Sequence, residues 1–368
     1  MALIQSGLGL FMQPVKVYED PLVTIYQGDI LDCLKVFDSQ VVQTVMTSPP
    51  YLWVRDYVVD GSWGQEQTWR DWINHMVEFT EAIKYILKPD GSLWLNLDDR
   101  IGNARTQDHQ NAGRVNRNMS FMMMPERVAI ELGDNHGWIR KGKIIWYKPS
   151  AMADFVGRGR FTRMYEMLYW FTLSEQYKFN LDDIRIPGRT PEIEEVVIQE
   201  PSTDMQLSLI DLKPDDPSSI ANAPPWGTPE YEHWYHNVRE KSGWHDHDHD
   251  EIYGRRNDLA GALRHPKGVV PGDVWSITKD LAGRKFKRLY ENYSVFPEEL
   301  CYRPILATSD IGDIILDPFA GSGTVGVVAK RFGRKAVLFD IDPKACEMAA
   351  FRVREVPIPM ESFLRVEA

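Results

Sequence analysis

The stretch that most restricts the fold runs from Ile314 to Asp342. Ile314-Ile315-Leu316 is a short apolar run of the kind that forms a strand buried on both faces of a parallel sheet. It stops at Asp317-Pro318, because proline cannot donate to a ladder. Gly321 and Gly323 then permit a tight turn and a close approach of backbone to a ligand. Val325, Val328, Ala329 and Phe332 recur at helical spacing, so a helix is expected over 324–332, closed by Gly333. Lys335 to Asp342 reads as a second strand ending in carboxylates. The sum is a βαβ unit of a Rossmann-like sheet. Asp340 stands about 20 residues past the glycines, where such units place an acid on ribose hydroxyls. An ordinary βα turn is the alternative. The acid favours a nucleoside-bearing ligand, and the glycine spacing is not that of a dinucleotide site.

A second motif lies far upstream. Val41 to Met46 reads as a buried strand running into Thr47-Ser48-Pro49-Pro50-Tyr51. Two consecutive prolines fix φ, and Pro50 also restricts Pro49, so the loop is rigid and extended. Neither proline has an N–H, so both carbonyls are expected to be free to point into a site, with an aromatic face beside them. That combination suits a flat base carrying an NH₂ group. A plain Pro-Pro turn with a core tyrosine is the alternative for the motif taken alone.

The pair T-S-P-P-Y and D-P-F-A-G-S-G-T resembles the β-class of S-adenosylmethionine-dependent DNA amino-methyltransferases, which methylate N6 of adenine or N4 of cytosine. In that class the catalytic motif comes first and the cofactor motif late, a circularly permuted motif order that this chain shares. Gln27-Gly28-Asp29-Ile30, Leu87 to Leu95 (a helix–turn–strand), Ile144 to Pro149, Tyr169 to Thr172, Pro271 to Trp275 and Phe296 to Leu300 resemble further segments of the family. The resemblance covers about 25–180 and 265–355 and leaves out the middle. It implies an α/β, Rossmann-like methyltransferase sheet with an inserted target-recognition region. It also implies S-adenosyl-L-methionine as cofactor and double-stranded DNA as partner, with Ser48, Pro49, Pro50 and Tyr51 catalytic. Asp317, Phe319, Gly321, Ser322, Gly323 and Thr324 would line the cofactor's methionine end, Asp340 its ribose and Asp29 its adenine. The target base would be flipped out, stacked on Tyr51 and held through its amino group by Ser48 and the Pro49 carbonyl. Catalysis would then be positioning and electrostatics, without a covalent enzyme intermediate. Ser before Pro-Pro-Tyr leans in the family toward N4-cytosine, with N6-adenine the alternative.

Composition permits this reading. The chain has 368 residues, 43% of them hydrophobic, enough for a sizeable core. Its three cysteines, Cys33, Cys301 and Cys346, are odd in number and form no Cys-x-x-Cys, which points to a reducing compartment, here the cytoplasm, and against structural zinc. No signal peptide and no membrane-length apolar run is expected. The net charge of -11 is unusual for a DNA binder, but the charge is uneven. Residues 191–217 carry eight acids against Lys213, while arginines and lysines cluster at 100–117, 158–163, 255–267 and 284–288. Local positive faces can follow phosphates on an acidic protein. Arg105, Arg114, Arg117, Arg255, Arg256 and Lys285 are the expected DNA contacts, with Arg55 and Tyr57 behind the catalytic loop.

Three regions follow: 1–186 as the catalytic half, 187–268 as a partly mobile target-recognition insert, and 269–368 as the cofactor-binding half. Thr68 to Leu87 is expected to be an amphipathic helix presenting Trp69, Trp72, Ile73, Met76, Phe79, Ile83 and Ile86. His245-Asp246-His247-Asp248-His249-Asp250 invites a metal reading, but alternate residues on an extended chain give ligands on one side only, and no metal site is expected. A cognate restriction endonuclease and a homodimer are left open as partners. Competing readings are an RNA or protein-glutamine methyltransferase, a DNA-binding homologue that has lost catalysis, and a nucleotide-dependent oxidoreductase.

Overall fold

A computed structural model of the chain describes residues 13–54, 61–101, 120–149, 161–186, 269–278 and 297–359. They build one nine-stranded sheet in the order β1-β2-β9-β8-β3-β4-β6-β5-β7. In chain order the strands are β1 Val15–Glu19, β2 Val23–Gln27, β3 Val42–Thr47, β4 Leu87–Leu97, β5 Ile139–Tyr147, β6 Tyr165–Thr172, β7 Val274–Ser276, β8 Ile314–Asp317 and β9 Lys335–Asp340. Strands β2, β9, β8, β3 and β4 are parallel neighbours. β6 runs antiparallel between β4 and β5, and β1 closes the other edge antiparallel to β2. All six residues of β3 are buried, as expected for a strand covered on both faces.

The helices are α1 Ile30–Cys33, α2 Trp69–Ile86, α3 Met124–Asp134, α4 Glu298–Thr308, α5 Thr324–Arg331 and α6 Pro343–Arg354. α2 begins at a capping box. The Thr68 hydroxyl accepts from the Asp71 N–H at 3.1 Å while the Asp71 carboxylate accepts from the Thr68 N–H at 3.0 Å. Its seven expected apolar residues are all buried, each burial worth about 2 kcal/mol. α5 ends in a Schellman turn: Gly333 has φ 73°, its N–H donates to Lys330 O, and the Arg334 N–H donates to Ala329 O.

The resemblance implies a helix–turn–strand across Leu87 to Leu95, yet β4 is continuous from Leu87 to Leu97 with Lys88-Pro89-Asp90-Gly91 inside it. The register along β3 jumps from Val42↔Leu87 to Thr44↔Ser92, so the four residues bulge out of the ladder. The bulge lets one strand hold the turn without breaking.

The chain divides into two compact units, Met1–Ile184 with Pro271–Ala368, and Arg185–Val270. Within the second, Ile186 and Val269 exchange both main-chain hydrogen bonds, at 2.9 and 2.8 Å. No described helix is long and apolar enough to cross a membrane.

Candidate active site

The connections of the sheet diverge at one place. From β3 the chain crosses through α2 to β4 on one side; from β8 it crosses through α5 to β9 on the other. β3 and β8 are adjacent. This is a topological switch point, where open α/β sheets leave a crevice beyond the carboxyl ends of their strands. The loops that leave those two strands are Ser48–Tyr51 and Pro318–Gly323. One hydrogen bond ties them across 270 positions: Thr47 Oγ1 donates to Asp317 Oδ1 at 2.7 Å. Asp29 and Asp340 follow or end the next two strands, where Gln27 pairs with Asp340 and the Gly28 N–H donates to Asp340 O at 3.0 Å.

On the glycine side, Gly321 (φ 49°) and Gly323 (φ 76°) both adopt left-handed backbone. Gly323 sits against α6, where an added Cβ would lie 2.7 Å from Ala349 Cβ. A Cβ on Gly321 would meet nothing within 4 Å. Asp340 accepts the Gly321 N–H at 2.8 Å and the Asp342 N–H at 2.9 Å, and burial raises its carboxyl to about 6 against those bonds. Asp317 is fully buried, and burial raises it to about 7 even though Thr47 and the Phe319 N–H stabilise the charge. Its second oxygen, Oδ2, has no partner among the described residues. A buried carboxylate oxygen lacking a donor, at the head of a turn whose Gly321 has open space at its Cβ position, fits a ligand that brings a cation.

The hydroxyls of Ser322 and Thr324 face elsewhere. Both bond the buried Arg352 guanidinium, at 2.7 and 2.9 Å, and Arg352 also takes Ser322 O. Phe319 packs edge-on to Phe79 and tilted to Trp63, at 5.6 and 5.2 Å between centroids.

On the proline side, the two carbonyls differ from what the sequence suggested. The Trp72 indole N–H donates to Pro50 O at 3.0 Å, so this carbonyl is not free. Among the described residues no donor reaches the Pro49 carbonyl. Tyr51 keeps a partly exposed ring while its hydroxyl enters a buried polar cluster. The hydroxyl lies 2.9 Å from Ser48 Oγ, donates to Glu166 Oε2 at 3.0 Å and accepts from Asn96 Nδ2 at 2.5 Å. Asn96 also donates to Glu166 at 2.7 Å. Lys148 Nζ pairs with Glu166 Oε1 at 2.6 Å, and Arg163 holds Asp98 at 3.0 Å. Burial, and then the Glu166 charge, raises Asp98 to about 7. Burial and the same carboxylates push the Tyr51 phenol well up.

Sequence reasoning missed this cluster, and the signal for it was modest. Asn96 and Glu166 are polar residues next to the apolar runs of β4 and β6, where a polar group must find partners. Arg163, grouped with surface arginines by sequence, turns inward to Asp98. Arg55, Tyr57, Arg105, Arg114, Arg117, Arg255, Arg256 and Lys285 lie outside the described residues, as does the 245–250 tract. Among the described residues no group of three or more His, Cys, Asp or Glu could hold a metal.

A mostly parallel sheet carrying a glycine turn, an acid at the next strand end and a Ser-Pro-Pro-Tyr loop at the switch point defines a Rossmann-like methyltransferase. A family model described as DNA methylase, gathering N6 and N4 methyltransferases, matches residues 42–351, and the chain belongs to that family of S-adenosylmethionine-dependent amino-methyltransferases. It is 28% identical to the type II methyltransferase M.SfiI of Streptomyces fimbriatus, over 88% of this chain and 89% of that one. With the DNA adenine methyltransferase YhdJ of Escherichia coli it shares 25% identity, over 90% of this chain and 82% of that one. The fold is similar to that of the cytosine-N4-specific PvuII DNA methyltransferase, at a TM-score of 0.58 and 18% identity over 95% and 92% of the two chains.

Proposed function

We propose that the protein methylates N4 of cytosine at a specific site in duplex DNA, after flipping the base out of the helix. The observation that supports this is the Thr47–Asp317 bond, which ties the Ser-Pro-Pro-Tyr loop to the glycine loop at the switch point. In this reading the bound cofactor supplies an electrophilic methyl group on a sulfonium centre. Asp317 Oδ2 takes its ammonium group, the backbone at Gly321 and Gly323 admits its chain, and Asp340 and Asp29 face its ribose and adenine. Ser322 and Thr324 contribute main chain, since their hydroxyls serve Arg352. Tyr51 stacks on the base, and Ser48 Oγ with the Pro49 carbonyl accept the two amino hydrogens, turning the nitrogen lone pair toward the donor.

Ser48 favours cytosine over adenine by resemblance, since Ser before Pro-Pro-Tyr leans in the family toward N4-cytosine; the similarity to YhdJ, named a DNA adenine methyltransferase, keeps N6-adenine as the second reading. The eight arginine, lysine and tyrosine positions named from sequence would contact DNA, 187–268 would read the target, and a cognate endonuclease would share that target. The three buried, unpaired cysteines suit the cytoplasm. The test is expression in a methylation-free host, with genomic sequencing that separates N4-methylcytosine from N6-methyladenine. N4-methylcytosine at one motif is expected. N6-methyladenine moves the assignment to the second reading, and unmodified DNA from a folded, cofactor-binding protein removes both.

A further inference from the structure

The Lys148–Glu166 pair is nearly buried, with side chains 6% and 12% exposed. A buried ion pair generally stabilises a fold no better than apolar residues of the same volume, so its position beside the catalytic loop invites another explanation. Glu166, as the partner of an ammonium, can only accept hydrogen bonds. The Tyr51 hydroxyl therefore donates to it, as the 3.0 Å contact has it. Tyr51 has one hydroxyl hydrogen, now used, so its oxygen must accept from Ser48 at 2.9 Å. Ser48 also has one hydrogen, which this bond consumes. Asn96 fits this arrangement without setting its direction. Its amide nitrogen faces both Tyr51 and Glu166, because the flipped amide would set two acceptors face to face.

We propose that the Lys148–Glu166 pair fixes the direction of the hydrogen-bond chain from Ser48 through Tyr51, so that Ser48 meets the target amino group with lone pairs only. The inference rests on the reading in which Ser48 faces the base. With the chain reversed, the Ser48 O–H would point at the NH₂ group, repel its hydrogens and compete for the nitrogen lone pair that must attack the methyl group. Glu166 and Lys148 are positioning residues, acting on the base only through Tyr51 and Ser48. Asp98 and Arg163, paired at 3.0 Å, are further charged groups of the same cluster.

The experiment is steady-state methylation of a duplex substrate, with cofactor binding followed by calorimetry. In Glu166→Gln the amide oxygen turns to Lys148 and the amide NH₂ to Tyr51, which reverses the chain. The turnover number is expected to fall about 100-fold, as for loss of one preorganised transition-state contact. KM for DNA and Kd for the cofactor should stay within about threefold, because the interaction lost is one made in the reaction rather than in binding. Lys148→Met/Glu166→Leu, which leaves neither member of the pair as an unpaired charge, should show the same loss even if the single variant folds poorly. In a Tyr51→Phe background, adding Glu166→Gln should change turnover by no more than about twofold, since the group through which it acts is gone. Wild-type turnover in Glu166→Gln, a raised KM with unchanged turnover, or effects of the two substitutions that multiply would each overturn the proposal. A wild-type protein that binds cofactor but methylates no duplex would instead overturn the reading of the site beneath it.

Discussion

Gly321 and Gly323 occupy the same conformational region for different reasons. Gly323 has no room for a side chain: Ala349 Cα and Cβ lie 2.9 and 2.7 Å from where its Cβ would be. Gly323→Ala should lose about 3 kcal/mol or more in denaturant unfolding, the left-handed penalty plus overpacking. Gly321 faces open space. Gly321→Ala should lose only about 1–2 kcal/mol, yet weaken cofactor binding about tenfold or more, since one overlapping methyl removes about 1.4 kcal/mol. Equal effects of the two substitutions on cofactor affinity would contradict the assignment of that space. Asp317 offers a contrast of sign. Its carboxyl is raised to about 7 by burial, so above that pH the cofactor-free fold carries a buried charge with an unpaired oxygen. Asp317→Asn should therefore raise the thermal stability of the cofactor-free protein at pH 8 while abolishing measurable cofactor binding by calorimetry. Stability gained at the expense of function is the usual mark of a site residue.

α2 does more than cover the sheet, for its Trp72 also fixes the Pro50 carbonyl. Trp72→Phe keeps an aromatic ring but removes the donor and part of the buried volume. The loss should be about 2–4 kcal/mol of stability, the missing bond plus a cavity, with a slower methyl transfer and unchanged cofactor affinity; unchanged turnover would mean that the two prolines hold the loop unaided. Much at this scale was legible in the sequence. The strand–turn–helix–strand unit and the buried face of α2 were readable because apolar spacing of 2 or 3.6 residues is imposed by the backbone itself. The long-range bonds were not. Nothing local to Thr47 says that its hydroxyl meets Asp317, and nothing near Ser322 and Thr324 says that an arginine one helix later takes both hydroxyls. The Pro50 carbonyl misled for the same reason: proline removes a donor from its own backbone but does not choose what donates to it. Lys88 to Gly91 carried honest turn chemistry, and the sheet absorbed it as a bulge.

At the scale of the whole fold, among the described residues, burial raises Asp317 and Asp98 from 3.8 to about 7 and Asp340 to about 6, and raises Glu299 as well. Between pH 4 and 7 the folded protein therefore binds more protons than the unfolded chain, and stability falls as pH rises through that window. Asp20, Asp310 and Asp313 are lowered through their lysine partners and act oppositely, but only as pH falls below about 4. Thermal unfolding of the cofactor-free protein should thus occur at higher temperature at pH 5.5 than at pH 8. Cofactor affinity should run the other way, strengthening from pH 5.5 to 8 as Asp317 and Asp340 ionise toward a cationic ligand. A flat affinity profile would remove Asp317 from the ammonium. At the same scale, the doubly bonded contact of Ile186 with Val269 brings the two ends of an 82-residue excursion side by side. If 187–268 is the target-reading insert proposed above, its replacement by the matching segment of a relative should change which duplex sequence is methylated and leave cofactor affinity within about threefold, a swap that calorimetry and genomic sequencing together would check.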